Sequence, residues 1–275
     1  MSDPESIVTV TQAHIVQGLK ALGIVPCDVV MVHSSLSSMG YVGGGADTVI
    51  DAFLEAVGPG GTLVMPTLCR KDKELRFETW NIATSPSDVG KITETFRLRR
   101  GSVRSDHATH SVAAIGPRAV EIIQGHKRAR GRPGPWGDAA FAKGSPWQNL
   151  YDLDARYTFL GVNLRVNTMR HFIQSVLVER ALNRAPARKR KALTSEVKGW
   201  CTGGVWPDYN AVEMQAHHEQ VGLIRRATIG RAEVLMLHAK EMVDEELRVF
   251  ESRPEDWFDE AFLAWYRECG VSVGR

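Results

Sequence analysis

The chain has 275 residues and a formal net charge of +2, and 43% of its residues are hydrophobic. This composition is typical of a soluble globular protein and is sufficient for one large α/β domain or two small ones. The chain contains no apolar run near the ~20 residues of a membrane span, and its first residues lack the basic and apolar regions of a secretion signal. We therefore expect a cytoplasmic protein without a membrane partner.

The cysteines and the basic runs indicate neither a metal nor a nucleic acid as a partner. The cysteines lie far apart without a C-x-x-C pair, so we expect free, mostly buried thiols and neither a zinc site nor a disulfide framework. Basic residues cluster at 127–132 and 188–191, but no aromatic interleaving or binding motif accompanies them. We interpret both runs as solvated loops and predict no nucleic-acid partner. The four cysteines are Cys27, Cys69, Cys201 and Cys269.

The first half of the chain alternates between helical and strand patterns. Apolar residues at helical spacing predict a helix at 6–22, which Gly23 ends, and another at 47–57, which a glycine-rich turn closes. Short apolar runs predict buried strands at 28–33 and 62–66. This alternation indicates parallel strands that are joined by helices.

The second half continues this pattern and then becomes irregular. Residues 125–144 are rich in glycine, proline and basic residues, so we predict a long loop there. Beyond 186 the pattern becomes irregular, with short strand-like pieces at 194–200 and 233–237 and an acidic helical pattern at 241–260, which indicates a smaller α+β part. We therefore predict a single α/β domain over 1–275, with a mostly parallel central sheet flanked by helices and a more irregular C-terminal part. The other predicted helices are 90–100, 117–124 and 168–183, and the other predicted strands are 111–115 and 157–162.

Small hydroxyl residues and glycines follow the first predicted strand. Serines within 34–38 and glycines at 43–45 lead directly into the helix predicted at 47–57. Small residues let an anionic ligand approach the backbone, and the free N–H groups of a helix start point toward it. Neither a Walker A motif nor the G-x-G-x-x-G dinucleotide fingerprint is present. The segment therefore predicts an anion site at a strand-to-helix turn, with a plain tight turn as the alternative.

Five motifs occur in a fixed order between residues 33 and 171, and together they resemble the aminoglycoside 3-N-acetyltransferase family, with a match over roughly residues 10 to 240. This family is unrelated in fold to the GCN5-type acetyltransferases. The resemblance implies an enzyme that transfers acetyl from acetyl-CoA to the 3-amino group of an aminoglycoside's deoxystreptamine ring, conferring resistance. Two alternatives are another amino sugar or natural-product amine as acceptor, and a catalytically impaired homologue that only binds CoA or a sugar. The motifs are HSSLSSMG at 33–40, GPGGTLVMP at 58–66, RSDHATHSVAAIG at 104–116, GSPW at 144–147 and LGVNLRVNTMRH at 160–171.

One histidine is the best candidate for a catalytic base. Acetyl transfer to an amine needs a base, a donor to the developing oxyanion and two aligned substrates. His171 follows a predicted strand at a helix start, where ligand crevices form beside parallel strands. The resemblance gives this position the catalytic histidine and gives Thr168 a role at the thioester carbonyl. Where the family commonly has a glutamate one turn later this chain has Gln174, and Asp208 falls near another acidic position of the family.

The resemblance also places CoA over the turn after the first strand and along the segment 105–112. Family members often have a proline where this chain has Ala108. The spacing of His107 and His110 could suggest metal ligation, but no third ligand is apparent in the sequence, so we predict no metal. The basic runs are an alternative contact for the CoA phosphates. The predicted CoA-binding residues are Ser34, Ser35, Leu36, Ser37, Gly44, Ser105, His110, Ser111 and Val112.

An aminoglycoside is a polycation, so its site requires carboxylates around the acceptor. The loop after the second strand supplies Asp72, Glu74 and Glu78, and His107 completes the predicted acceptor-binding set. Solvated loop charges are the alternative interpretation of these acids. The basic and aromatic stretch 127–136 does not suit a polycation, which leaves a different amine acceptor open. We expect a monomer or a homodimer.

Overall fold

A seven-stranded sheet forms the centre of the computed structural model, which describes residues 9–69, 76–197 and 204–274. The strands are β1 (Val29–Ser34), β2 (Thr62–Pro66), β3 (Val103–Arg104), β4 (Val112–Ile115), β5 (Arg156–Leu160), β6 (Arg225–Ile229) and β7 (Ala232–His238). From one edge of the sheet to the other, their order is β3-β4-β2-β1-β5-β7-β6.

Among the described strands, parallel pairing is confined to the three central ones. β1 pairs in parallel with β2 on one side and with β5 on the other. The pairings β2–β4, β3–β4, β5–β7 and β6–β7 are all antiparallel. The predicted α/β class is confirmed, but the mostly parallel sheet is found only in this central part. Apolar patterns locate strands without encoding their direction, and the short turn at Gly230 makes β6 and β7 a hairpin.

Helices cover both faces of the sheet. The helices are α1 (Gln12–Ala21), α2 (Gly45–Val57), α3 (Arg76–Thr79), α4 (Lys91–Leu98), α5 (Ala119–Ile123), α6 (Pro146–Asp152), α7 (Met169–Arg184), α8 (Ala187–Glu196), α9 (Ala211–Gln220), α10 (Ala239–Ser252) and α11 (Glu260–Glu268). Successive side chains of β1 point to opposite faces, so Val30 and Val32 enter one hydrophobic core while Val29 and Met31 enter the other. The first core packs against α1, α2 and α4, and the second against α5 to α11.

Most predicted elements lie within a few residues of their expected bounds, with two clear differences. The helix expected at 6–22 begins only at Gln12, because the Thr11 side chain accepts the backbone N–H of His14 and caps the helix there. The strand expected at 194–200 is wrong for its first residues, which belong to α8. Residues 6–8 and 198–200 lie outside the described ranges.

The predicted loop at 125–144 is largely irregular, with one short 3-10 turn at His126–Arg128. Its buried Arg132 is not solvated as expected, since it forms an ion pair with Glu179 of α7 at 2.6 Å. Arg132 also donates a hydrogen bond to the Phe141 carbonyl oxygen at 2.9 Å. The loop at 125–144 is therefore attached to α7.

The second basic run, 188–191, lies in α8 rather than in a loop.

Each of the three described cysteines is a free thiol. Cys69 and Cys269 are free and buried, and Cys27 is free and exposed. Cys201 lies outside the described residues. Among the described helices, none combines the length and the apolar character that crossing a membrane would require.

Candidate active site

A cavity of about 460 Å³ lies at the carboxyl ends of the parallel strands, and we call it the central cavity. Because β1 ends at Ser34 beside Leu160 of β5, and β2 ends at Pro66, the three strands open onto one crevice. Four predicted site residues line this cavity: Ser34, His110, Thr168 and His171. The lining residues that sequence analysis did not select include His33, Asp88, Val89, Arg165, Asn167 and Arg170.

Gln174 fixes the orientation of His171 in the first turn of α7. Gln174 Oε1 lies 2.8 Å from His171 Nδ1. The Gln174 amide nitrogen donates to the Pro207 carbonyl oxygen at 2.8 Å and to an Asp208 carboxylate oxygen at 3.1 Å. Because both donors of the amide face acceptors, its oxygen must face His171 and accept the Nδ1 proton. The neutral imidazole therefore retains the Nε2 lone pair for a substrate proton.

The surroundings of His171 keep its imidazole neutral. Burial lowers the pKa of His171 to about 3, and nearby Arg170 lowers it as well, whereas the hydrogen bond with Gln174 opposes the shift. The rings of Trp136 and Phe141 lie 4.2 Å and 6.0 Å from the imidazole, measured between ring centroids. A neutral imidazole is the form that a general base requires.

Thr168 presents a hydroxyl beside this base. It occupies the N-cap position of α7, yet its side chain makes no capping hydrogen bond. Instead, Asn167 Oδ1 accepts the backbone N–H of Met169 at 2.9 Å. Since Asn167 supplies the cap, the Thr168 hydroxyl is left available to the central cavity, which it lines.

A second cavity of about 650 Å³, which we call the groove, lies over the turn after β1. The predicted residues Ser34, Ser35, Leu36 and Ser37 all line it. Ser34 and Val89 belong to the lining of both the groove and the central cavity. The groove therefore meets the central cavity at the end of β1.

The lining of the groove suits an anionic chain. The start of α2 lies here, and no side chain caps its first turn. Lys91 adds a positive charge to the lining. Ser34 Oγ is buried and has no hydrogen-bond partner among the described residues. Uncapped helix N–H groups, an ammonium and an orphaned hydroxyl are donors that phosphate and amide oxygens can accept.

The glycine that faces the groove differs from the predicted one. A Cβ at Gly44 would lie 2.3 Å from Thr48 Oγ1, and Gly44 is not part of the lining. Gly45 does line the groove, and a Cβ there would meet nothing within 4 Å. Both glycines have positive φ angles, 81° and 63°. Because three glycines are consecutive at 43–45, the sequence does not indicate which of them faces the groove.

The segment 105–112 contributes one side chain to the central cavity. His110 lines the cavity, and its ring centroid lies 5.8 Å from that of His171. The other three predicted CoA contacts, Ser105, Ser111 and Val112, are buried and do not line either cavity. Ser105 Oγ accepts the Val112 N–H at 3.0 Å, and Ser111 Oγ donates to the Thr67 carbonyl oxygen at 2.8 Å. These three residues therefore support the backbone of the segment and do not face either cavity.

A third cavity of about 510 Å³, the aromatic cavity, adjoins the site through Trp136. His107, predicted to bind the acceptor, lines it, whereas Glu78 is exposed on α3 and does not. Asp72 and Glu74 lie outside the described residues. The lining residues that sequence analysis did not select include Phe77, Trp80, Asp106, Lys127, Arg130 and Trp136.

No group of three His, Cys, Asp or Glu side chains able to hold a metal occurs within the described ranges. The site instead combines a neutral histidine, a hydroxyl and a donor-lined groove, which suits a transferase that takes a long anionic co-substrate. The chain belongs to the aminoglycoside 3-N-acetyltransferase family, whose sequence model matches residues 31–251. The resemblance found in the five motifs is therefore confirmed, and with it the class of enzyme.

Individual relatives agree with this assignment. The chain is 32% identical to aminoglycoside N(3)-acetyltransferase VIII of Streptomyces fradiae over 60% of this chain and 61% of that protein. It is 27% identical to aminoglycoside N(3)-acetyltransferase VII of Streptomyces paromomycinus over 86% of this chain and 89% of that protein. The fold is similar to the crystal structure of aminoglycoside acetyltransferase AAC(3)-Xa, with a TM-score of 0.69 and 25% identity over 89% of this chain and 93% of that one.

Proposed function

We propose that this protein transfers the acetyl group of acetyl-CoA to an amine of an aminoglycoside, the 3-amino group of its deoxystreptamine ring, and so confers resistance. The observation that carries the proposal is the junction of the groove with the central cavity at Ser34 and Val89, with His171 in the same central cavity. Family membership supplies the reaction class. Acetyl-CoA supplies an activated acyl carbon as a thioester.

The groove residues would hold the phosphates and the pantetheine arm of CoA. The backbone N–H groups of Leu36 and Ser37 and those at the uncapped start of α2 are donors, and Lys91 offers a positive charge. The Ser34 hydroxyl lies where the groove meets the central cavity and can donate a hydrogen bond to an amide or thioester oxygen. This arrangement leads the thioester toward Thr168 and His171.

The reaction needs one proton to be moved. The acceptor nitrogen forms a bond to the acetyl carbon, and the carbon–sulfur bond breaks. His171 Nε2 takes the proton that the nitrogen loses and returns it to the departing sulfur, so the products are the acetamide and the free CoA thiol. The Thr168 hydroxyl can donate to the carbonyl oxygen while it carries negative charge.

A panel assay tests this proposal. Thiol release from acetyl-CoA is measured with deoxystreptamine aminoglycosides and with simple amino sugars, and the products are identified by mass spectrometry. Acetylation of an aminoglycoside at the 3-amino group supports the proposal, whereas silence on every aminoglycoside refutes it. Silence on all amines together with tight CoA binding would favour the catalytically impaired homologue.

A different amine acceptor is the second candidate, and the charges around the site favour it. Arg165 and Arg170 line the central cavity together with one described carboxylate, Asp88. In the aromatic cavity, by contrast, Asp106 and Asp138 balance Lys127 and Arg130. A polycation would meet these cations unless carboxylates outweigh them. Within the same panel, faster turnover of a neutral or acidic amino sugar than of any aminoglycoside would select this candidate. We also propose a cytoplasmic monomer or homodimer, which light scattering on the purified protein would distinguish.

A further inference from the structure

A second histidine, His33, lies near the end of β1 and lines the central cavity that contains His171. Its Nε2 lies 2.9 Å from the hydroxyl of Tyr157 on β5. Its ring stacks on Phe159, with ring centroids 5.5 Å apart and planes 12° apart. His33 is therefore held against β5, with only 5% of its surface exposed.

The hydrogen bonds of Tyr157 fix the tautomer of His33. The fully buried Tyr157 hydroxyl oxygen accepts the backbone N–H of Met169 at 3.2 Å. Its single proton has His33 Nε2 as the acceptor within reach, so Nε2 acts as the acceptor. Burial lowers the pKa of His33 to about 3, which keeps the ring neutral. A neutral imidazole that accepts at Nε2 carries its proton at Nδ1.

That Nδ1 proton has no acceptor among the described residues. Nδ1 is not among the buried unpaired atoms of the described residues, so it is accessible from the central cavity, where the oxygen of a ligand can accept its proton. The next residue, Ser34, joins the central cavity to the groove. A thioester carbonyl oxygen that reaches His171 from the groove therefore enters a cavity that His33 also lines.

We propose that His33 is a second catalytic residue, whose Nδ1–H donates a hydrogen bond to the carbonyl oxygen of the acetyl thioester. The inference rests on the proposed function, because it requires that acetyl-CoA enters from the groove. His33 transfers no proton. Its donor is preformed and neutral, and it stabilises the charge that develops on the oxygen as the amine attacks.

Two substitutions separate this role from a structural one. In His33→Asn the amide nitrogen occupies about the position of Nδ1, so the donor is kept and the contact with Tyr157 is lost. In His33→Gln the amide reaches about the position of Nε2, so the contact with Tyr157 is kept and the Nδ1 donor is lost. We expect His33→Gln to lower kcat about 10²- to 10³-fold and His33→Asn to lower it less than about 10-fold. The reverse order would show that His33 only braces Tyr157 and would overturn the proposal, as would equal losses in both variants.

Nitrogen NMR of the wild-type protein supplies a test that does not depend on turnover. We expect the His33 ring to be protonated at Nδ1, and this proton to shift downfield when a ketone analogue of acetyl-CoA binds. CoA, which lacks the acetyl carbonyl oxygen, is the matched control and should not produce the shift. Protonation at Nε2, or an unchanged Nδ1 proton while calorimetry shows the analogue bound, would overturn the inference. If the wild type acetylates no amine but the shift is seen, the proposed function fails and the binding role of His33 stands.

Discussion

At the scale of single residues, Gln174 and Asp208 form a complementary pair behind the base. The amide of Gln174 has its oxygen toward His171 and its nitrogen toward the Pro207 carbonyl and the Asp208 carboxylate. A glutamate in place of Gln174 would place a carboxylate oxygen, which cannot donate, against the Pro207 carbonyl oxygen and the Asp208 carboxylate. In this chain Asp208 thus favours an amide over an acid at position 174, a relation that the sequence spacing of 34 residues does not reveal.

The pair predicts that Gln174→Glu destabilises the protein. The new carboxylate loses two donated hydrogen bonds and is repelled by Asp208, so the free energy of unfolding should fall by about 1–3 kcal/mol. Denaturant unfolding at neutral pH measures this change. The double variant Gln174→Glu/Asp208→Asn is the matched control, because the Asn amide can donate to the new carboxylate, and it should regain part of the loss. Equal stability of wild type and Gln174→Glu would contradict the assigned amide orientation.

The same residues determine how activity depends on pH. Because burial lowers the pKa of His171 to about 3, the imidazole is already neutral at pH 5 and adds no acid limb above that pH. kcat/KM should therefore rise only with deprotonation of the acceptor amine. In the double variant Gln174→Glu/Asp208→Asn, the new carboxylate at position 174 stabilises the protonated His171 and raises its pKa. The kcat/KM profile of this variant should therefore show a decrease on the acid side that the wild-type profile lacks. A wild-type limb near pH 6.5 that is lost in His171→Gln would show that His171 titrates normally.

At the scale of elements, the turn between β1 and α2 should control CoA affinity. Gly45→Val places a side chain in the groove, whereas the same change at Gly44 places it against Thr48. Both variants carry a similar backbone cost, because both positions have positive φ. We expect the KM for acetyl-CoA to rise about 10-fold or more in Gly45→Val and less in Gly44→Val, with the KM for the amine little changed in either. A larger effect at Gly44 would show that CoA does not lie in the groove.

Elements with a strong apolar period could be predicted, and those without one could not. β1 and α7 bury most of their residues, so their runs stand out in the sequence. β3 has only two residues, and β6 begins with two exposed arginines, so neither has the pattern of a buried strand. His171 was found through its motif at a strand end. His33 and Trp136 were missed, because their roles depend on contacts with Tyr157 and His171 that lie far along the chain.

At the scale of the whole molecule, buried neutral histidines make stability depend on pH. Burial lowers the pKa values of His33 and His171 to about 3 and of His107 to about 4, and it lowers that of His126 well below the ordinary value. Between about pH 6.5 and 4 the unfolded chain binds protons at these positions that the folded chain does not. This contribution to stability is complete above about pH 6.5 and decreases as the pH falls.

We expect each of the four to reduce the free energy of unfolding by up to about 1.4 kcal/mol per pH unit in that window. Urea unfolding at pH 7, 6 and 5 measures the slope. His126→Gln should lower the slope by about one proton. A stability that stays constant from pH 7 to 5 would contradict the neutral state of these rings.

The most direct test of the whole account is the turnover of His171→Ala, measured as thiol release from acetyl-CoA with an aminoglycoside that the wild type acetylates. Loss of the base should lower kcat by about 10²- to 10⁴-fold, while calorimetry gives nearly the same affinity for CoA, because the groove does not include His171. Initial-rate patterns should indicate a ternary complex without an acetyl-enzyme. Near-normal turnover of His171→Ala, or ping-pong kinetics with acetyl trapped on Cys69, would contradict the account.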